Sequence, residues 1–272
     1  MRMLGASAPR VRVYASGIES PLTDDQLQSF YERMALRGIN AGKLKVGLDQ
    51  DQDLRRLGIM RDALAKSNKK PVLMIDSNEF WSAKQAIRHI LAFEEQFDLF
   101  WVEEPARRWD YRGLRKVSRS VAAAVATGEN LNHVGDYMPL IANEAVDVVQ
   151  IGLGTSGITG AMQVADLAHA FELPVAMMNC PGSFMAHLAA CLPNHMMMEL
   201  VDAGRDAVFT HDYQIEDGWL VLGEQPGTGI SFDKDKLEAH AVERPSPGAG
   251  PSPWGRRPGA GLCDDGRLST NT

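Results

Sequence analysis

Short apolar runs alternate along most of the chain with stretches whose apolar residues recur every three or four positions, the signature of strands alternating with amphipathic helices. The runs at residues 10–15, 42–46, 71–75, 98–102, 122–126, 146–151, 174–178 and 196–198 predict eight strands. Between them, Leu27, Phe30, Tyr31 and Met34, then Leu57, Met60 and Leu64, then Ile158, Met162, Ala165 and Ala168 fall at helical spacing. Two helix starts carry a capping box, Thr23 with Gln26 and Ser82 with Gln85, and Gly38 sits where a helix-ending glycine belongs. The run at 71–75 is apolar throughout, as expected of a parallel strand covered on both faces. Eight strands alternating with helices predict an α/β fold, a TIM-like (β/α)7β barrel, with its chemistry at the C-terminal strand ends.

The polar residues fall at those ends. Asp76 with Asn78, Glu103 with Glu104, Glu129 with Asn130, and Glu199 each follow an apolar run. Lys43 and Lys45 are two apart in a strand and so project onto one face. In a barrel, two ammonium groups would then face three carboxylates, Asp76, Glu103 and Glu129, across a common mouth. Three neighbouring carboxylates call for a divalent cation, and hard oxygen ligands favour Mg2+ or Mn2+.

Composition narrows the class. The chain has 272 residues, 44% of them hydrophobic, enough for one large core. Its net charge of -7 and the lack of a long Lys/Arg block argue against a nucleic-acid surface. The three cysteines, Cys180, Cys191 and Cys263, lack metal-ligand spacing and suit a reducing, cytoplasmic setting. Residues 1–9 lack the apolar core of a signal peptide, and no run is long and uncharged enough to span a bilayer. The expected organisation is an N-terminal extension (1–9), a barrel domain (10–210), a hairpin and partial cap segment (211–244) with a turn at Asp217-Gly218, and a Pro/Gly-rich tail (245–272) expected to be disordered. Other features have plain readings: Glu104 as a structural cap or pair, His187 and His195 as core or surface residues, Cys180 as a small buried residue, the methionines at 177–178, 185 and 196–198 as packing, and 152–157 as a tight strand-to-helix turn.

The ordered series Lys43-x-Lys45, Asp76-x-Asn78, Glu103-Glu104-Pro105, Gly128-Glu129-Asn130, Ser156-Gly157-Ile158-Thr159-Gly160 and Glu199 resembles the barrel domain of the enolase superfamily, in its mandelate racemase/muconate lactonizing enzyme subgroup, from about residue 10 to 232. The resemblance implies that Asp76, Glu103 and Glu129 bind Mg2+ and that the metal holds the carboxylate of a small acid substrate. It further implies that Lys45 removes the adjacent α-proton to give an enediolate, while Lys43 lowers the pKa of Lys45 and touches the substrate carboxylate. Asn78 and Asn130 would orient ligands or bond substrate, and Glu199 would hydrogen-bond it. The chemistry is coherent: a divalent cation and nearby lysines stabilise the dianion, and an ammonium neighbour or desolvation brings a lysine toward neutrality.

The pattern also departs from its relatives. Asn179 stands where racemases and sugar-acid dehydratases place a histidine, and Ile151 or Gly152 where they place its aspartate; the sixth strand carries no lysine. One base therefore implies dehydration of a hydroxy or sugar acid in preference to two-base racemisation, with a racemase, epimerase or cycloisomerase as the alternative. The family's N-terminal α+β capping domain is not expected in this chain, which leaves a catalytically impaired, truncated barrel acting as a binding or structural module as the reading from another class. Homo-oligomerisation is compatible, since barrels of this family commonly associate.

Overall fold

The computed structural model of the protein describes residues 2–6, 8–17, 22–152, 157–178, 183–201 and 208–241. Eight strands, β1 (Arg10–Ser16), β2 (Ala41–Lys45), β3 (Val72–Asp76), β4 (Leu99–Glu103), β5 (Ala124–Thr127), β6 (Val148–Ile151), β7 (Val175–Met177) and β8 (His195–Val201), pair in sequence order and in parallel. The sheet closes where β1 meets β8, with Val13 opposite Met198 and Ser16 opposite Val201. Between the strands lie α1 (Asp24–Leu36), α2 (Gln50–Ala65), α3 (Ala83–Glu94), α4 (Tyr111–Ser118), α5 (Val134–Ala142), α6 (Gly157–Ala170) and α7 (Ala186–Ala189). This is the expected (β/α)7β barrel.

Local chemistry sets the helix starts. Thr23 accepts from the Gln26 backbone N–H while the Gln26 side chain returns to the Thr23 N–H, and Ser82 with Gln85 repeats the arrangement. Each box satisfies two N–H groups that a helix start leaves bare. Leu27, Phe30, Tyr31 and Met34 are buried against the barrel as their spacing predicts, and Gly38 takes a positive φ just after α1.

Period-two alternation organises the barrel interior. One residue from each strand, Tyr14, Ala41, Met74, Trp101, Ala126, Val148, Ala176 and Met197, forms an apolar plug. Two residues further along a strand a side chain points inward again, one layer nearer the C-terminal mouth. That next layer contains Ser16, Lys43, Asp76, Glu103, Gln150 and Glu199, all buried. The polar centre therefore rests on a dry floor contributed by the same strands.

Three details differ from the sequence-based expectations. The eighth strand is seven residues long, so Glu199 lies inside it, opposite Tyr14, and not at its end; Leu200 and Val201 continue the pairing with β1. In α6, Ile158 is half exposed, while Gly160, Ala161, Val164, Ala165 and Ala168 are buried. Small residues, more than bulky ones, form the face that lies close on the strands. The hairpin of β10 (Gln214–Glu216) and β11 (Trp219–Val221) turns at Asp217-Gly218, both at positive φ, and is tied to the barrel: β11 pairs antiparallel with residues 10–12 of β1. Around it, β9 (Phe209–His211) pairs with β12 (Ile230–Phe232), and α8 (Lys234–Ala239) follows, a helix the sequence reading did not anticipate. No helix among the described residues is long and apolar enough to cross a membrane. The 245–272 tail lies outside the described residues.

Candidate active site

Strand register brings the site together. Lys45 lies opposite Asp76, and Asp76 opposite Glu103, across three neighbouring strands, so these side chains share one level at the mouth. Backbone bonds hold the loops that follow: Val46 N–H to the Asp76 carbonyl (2.9 Å), Ser77 N–H to that of Glu103 (3.2 Å) and Glu104 N–H to that of Ala126 (2.9 Å). Glu129 lies two residues beyond β5, after Gly128 at φ 136°. A Cβ on Gly128 would stand 2.4 Å from the Gln150 carbonyl oxygen, so only glycine lets the chain turn Glu129 toward the others at this approach.

Lys43 is the hub. It is 1% exposed, and its Nζ lies 2.5 Å from Glu103 Oε1, 3.1 Å from Glu199 Oε1 and 3.4 Å from Asp76 Oδ2. Below it lies the Tyr14 ring, 5.6 Å from Nζ, itself edge-on to Trp101. Burial opposes the Lys43 charge, but Glu103 and Glu199 outweigh it and raise the pKa well above the usual lysine value. Lys45, at 14% side-chain exposure, bonds Asp76 Oδ2. Burial and the Lys43 charge favour its neutral amine, yet Asp76 prevails and its pKa is also raised. Lys43 thus acts on Lys45 in the expected, lowering direction, but the Asp76 carboxylate bonded to Lys45 outweighs it.

The acids show the complementary effect. Burial alone would raise Asp76, but Lys45 and Lys43 hold it well below the usual carboxylate range. Glu103 is pushed well up by burial and by the charges of Asp76 and Glu129, against Lys43. Glu129 is raised by burial and by Asp76. Asp76 and Glu103 stand side by side on neighbouring strands, and the Asp76 charge adds to the rise of Glu103. Glu104 is raised to about 8 by burial, Glu129 and Asp76, and accepts from Asn130 Nδ2 at 2.7 Å; the same amide reaches Glu129 Oε1 at 3.2 Å. The Asn78 N–H donates to Asp76 Oδ1 (2.8 Å). Asn179 lies outside the described residues.

Gln150 is the residue the sequence reading missed. Fully buried on β6, it donates from Nε2 to Glu103 Oε2 at 2.5 Å, while its Oε1 has no hydrogen-bond partner among the described residues. A lone amide in the run Val148-Val149-Gln150-Ile151 was the available signal.

Whether this centre suits a divalent cation rests on its donors. As placed, no three His, Cys, Asp or Glu side chains among the described residues stand in ligating geometry; the oxygens of Asp76 and Glu103 face lysines and one another. The donor chemistry fits nonetheless. Asp76, Glu103 and Glu129 are hard oxygen donors on adjacent strand ends; burial and then their mutual repulsion raise the pKa of Glu103 and Glu129, and a cation would remove the repulsive part.

A closed parallel barrel with a lysine pair facing acids on the third, fourth and fifth strand ends defines a class. The chain belongs to the enolase C-terminal domain-like family, which matches residues 26–236, and within it to the mandelate racemase/muconate lactonizing enzyme subgroup. It is 30% identical to the 3,6-anhydro-alpha-L-galactonate cycloisomerase of Streptomyces coelicolor over 89% of this chain and 66% of that protein. It is also 30% identical to the L-talarate/galactarate dehydratase of Salmonella typhimurium over 86% of this chain and 58% of that protein. Among solved structures, a racemase from Streptomyces coelicolor with bound magnesium superposes with a TM-score of 0.78 at 29% identity, covering 89% of this chain and 66% of that one. The chain spans less than two-thirds of the length of these relatives.

Proposed function

We propose that the protein catalyses Mg2+-dependent removal of the proton α to a carboxylate and, through it, the dehydration of a hydroxy or sugar acid. The observation that carries this reading is the pairing of Lys45 with Asp76 in register with Glu103, which sets one amine base beside the acid cluster at the barrel mouth. The relatives agree in kind: one is a sugar-acid dehydratase, and a structural neighbour was crystallised with magnesium.

In this reading Asp76, Glu103 and Glu129 hold Mg2+, with Mn2+ as a substitute. When bound, the ion neutralises these acids and draws charge toward the substrate carboxylate. Lys45 is the base. The Asp76 charge that raises its pKa would be engaged elsewhere, leaving burial and Lys43 to favour the free amine. Lys43 keeps a fixed positive charge under the site, where the departing proton leaves negative charge behind. Asn78 and Asn130 hold the acids through their bonds to Asp76, Glu104 and Glu129. Glu199 acts from below through Lys43, and Asn179 would orient substrate without carrying a proton. With a single base, the proton taken by Lys45 can return to the leaving hydroxide on the same face.

The test is proton–deuterium exchange. Sugar and hydroxy acids are incubated in D2O with protein and Mg2+, and the α-proton signal is followed by NMR. Exchange or water loss that needs Mg2+ and disappears in Lys45→Met, with metal binding retained, supports the reading. Exchange that persists in Lys45→Met removes Lys45 as the base. Similarity to a cycloisomerase favours a second reading in which the same first step ends in an isomer; product mass separates the two, since dehydration loses water and isomerisation does not.

A further inference from the structure

Beyond the acid cluster, an ion pair between a buried glutamate and a partly buried arginine ties together the three loops that carry it. Glu79, 1% exposed, sits three residues after Asp76 with φ 58°. Arg108, four residues after Glu104, forks onto it: Nε to Oε1 at 2.6 Å and Nη2 to Oε2 at 3.0 Å, while the Arg108 backbone N–H adds a bond to Oε1 at 2.9 Å. The remaining arm, Nη1, donates to the backbone carbonyl of Asn130 at 2.7 Å, one residue beyond Glu129. The Arg107 guanidinium bonds the Glu79 carbonyl, and the Glu79 N–H donates to the Glu104 carbonyl at 2.8 Å. One guanidinium thus connects the loops after β3, β4 and β5. Those loops include three non-glycine residues in the left-handed region, Asn78, Glu79 and Glu104, a conformation that persists only where surroundings enforce it.

We infer that Arg108 is a positioning residue that, through Glu79 and the Asn130 carbonyl, fixes the spacing of Asp76, Glu103 and Glu129 for a divalent cation. The inference rests on the metal reading given above. A planar guanidinium suits the task because it reaches a carboxylate by two bonds and a carbonyl by a third at fixed angles, which a lysine cannot do. Loss of a residue that supports ligands from behind weakens metal binding by ~10–100-fold.

The experiment uses the full chain and two readouts, Mn2+ affinity by EPR and amide hydrogen exchange of residues 77–80 and 129–131. Arg108→Met, shown to be folded by circular dichroism, is expected to bind Mn2+ ~10–100-fold more weakly and to lose protection in both segments. Arg108→Lys should restore neither, while added guanidinium ion should recover both in part; Glu79→Gln serves as the second variant where Arg108→Met does not fold. Unchanged exchange in either segment overturns the clamp, and lost protection with unchanged Mn2+ affinity overturns its positioning role. Wild-type protein that binds no Mn2+ overturns the metal reading and the role built on it, whereas exchange still decides separately whether Arg108 joins the loops.

Discussion

Replacing Lys43 with methionine tests the central feature of the site. The side chain is 1% exposed and its ammonium lies within 3.4 Å of three carboxylates, two of which, Asp76 and Glu103, are fully buried. Methionine fills a similar volume without the charge, so the change is electrostatic more than steric. Removing one partner of a buried ion pair costs ~3–5 kcal/mol, because the remaining charge has neither water nor counter-ion. For a domain of this size a kcal/mol corresponds to about 2–4 °C, giving a fall in Tm of roughly 6–20 °C. The pH dependence carries the sign. Asp76 has a depressed folded pKa, so its stabilisation is present above the unfolded value of ~3.9 and is lost as pH falls through the folded value. Lys43→Met removes part of that depression, and protonation of the acids relieves the variant. The stability gap should therefore persist from pH 7 down to about 4 and narrow below that, as the acids protonate. Urea unfolding at a series of pH values measures it. A difference below about 1 kcal/mol at pH 7, far under the expected cost, or a gap that does not change with pH, would refute the view that Lys43 is held by unscreened charge.

Three other outcomes follow from the same structure. Gln150→Leu should destabilise by ~1–3 kcal/mol in urea, toward the lower end, since it strips a donor from Glu103 but also removes an Oε1 that has no partner; an unchanged midpoint would count against that bond. Asp53, buried at the start of α2, accepts the Gly47 N–H at 2.7 Å and has its pKa raised to about 6, chiefly by burial. Because a raised carboxylate loses stability as pH climbs from the unfolded to the folded value, Asp53→Asn should be more stable than wild type above about pH 6, by up to ~3 kcal/mol, with the gap closing toward about pH 4; thermal melts across that range decide it. Mg2+ binding should tighten as pH rises above the ordinary glutamate range and release protons, since Glu103 and Glu129 are both raised; calorimetry in buffers of different ionisation enthalpy would show no buffer dependence if this is wrong.

How much of this was legible in the sequence follows from the range of each interaction. The capping boxes at Thr23 and Ser82 and the Asp217-Gly218 turn are local, and each was readable where it stands. So was the gathering of Lys43, Lys45, Asp76, Glu103 and Glu129, because period-two geometry and strand order fix who faces whom once the barrel is granted. The length of β8 was not, since Glu199 inside a strand looks like a strand end until its ion pair with Lys43, from the opposite part of the chain, is known. Arg108 and Glu79 are 29 residues apart and each is ordinary by itself. The net balance at Lys45 was out of reach for the same reason: the two-residue spacing revealed the lysine that lowers its pKa, whereas the aspartate that outweighs it comes from another strand.

The charge balance of the site connects these observations. Asp76, Glu103, Glu129 and Glu199 carry four negative charges if all ionise, against two positive charges on Lys43 and Lys45, and four minus two leaves two unmatched. In a buried centre that excess cannot stand alone. Protons can reduce it, and the upward shifts of Glu103 and Glu129, set by burial and by the neighbouring acids, run in that direction. One divalent cation can remove it equally well, displacing those protons and drawing the carboxylates off the lysines. The two lysines alone do not balance it, because each ammonium offsets only one carboxylate. A centre two charges short of neutrality can exchange protons for a metal, and a neutral, fully paired cluster of the same residues could not.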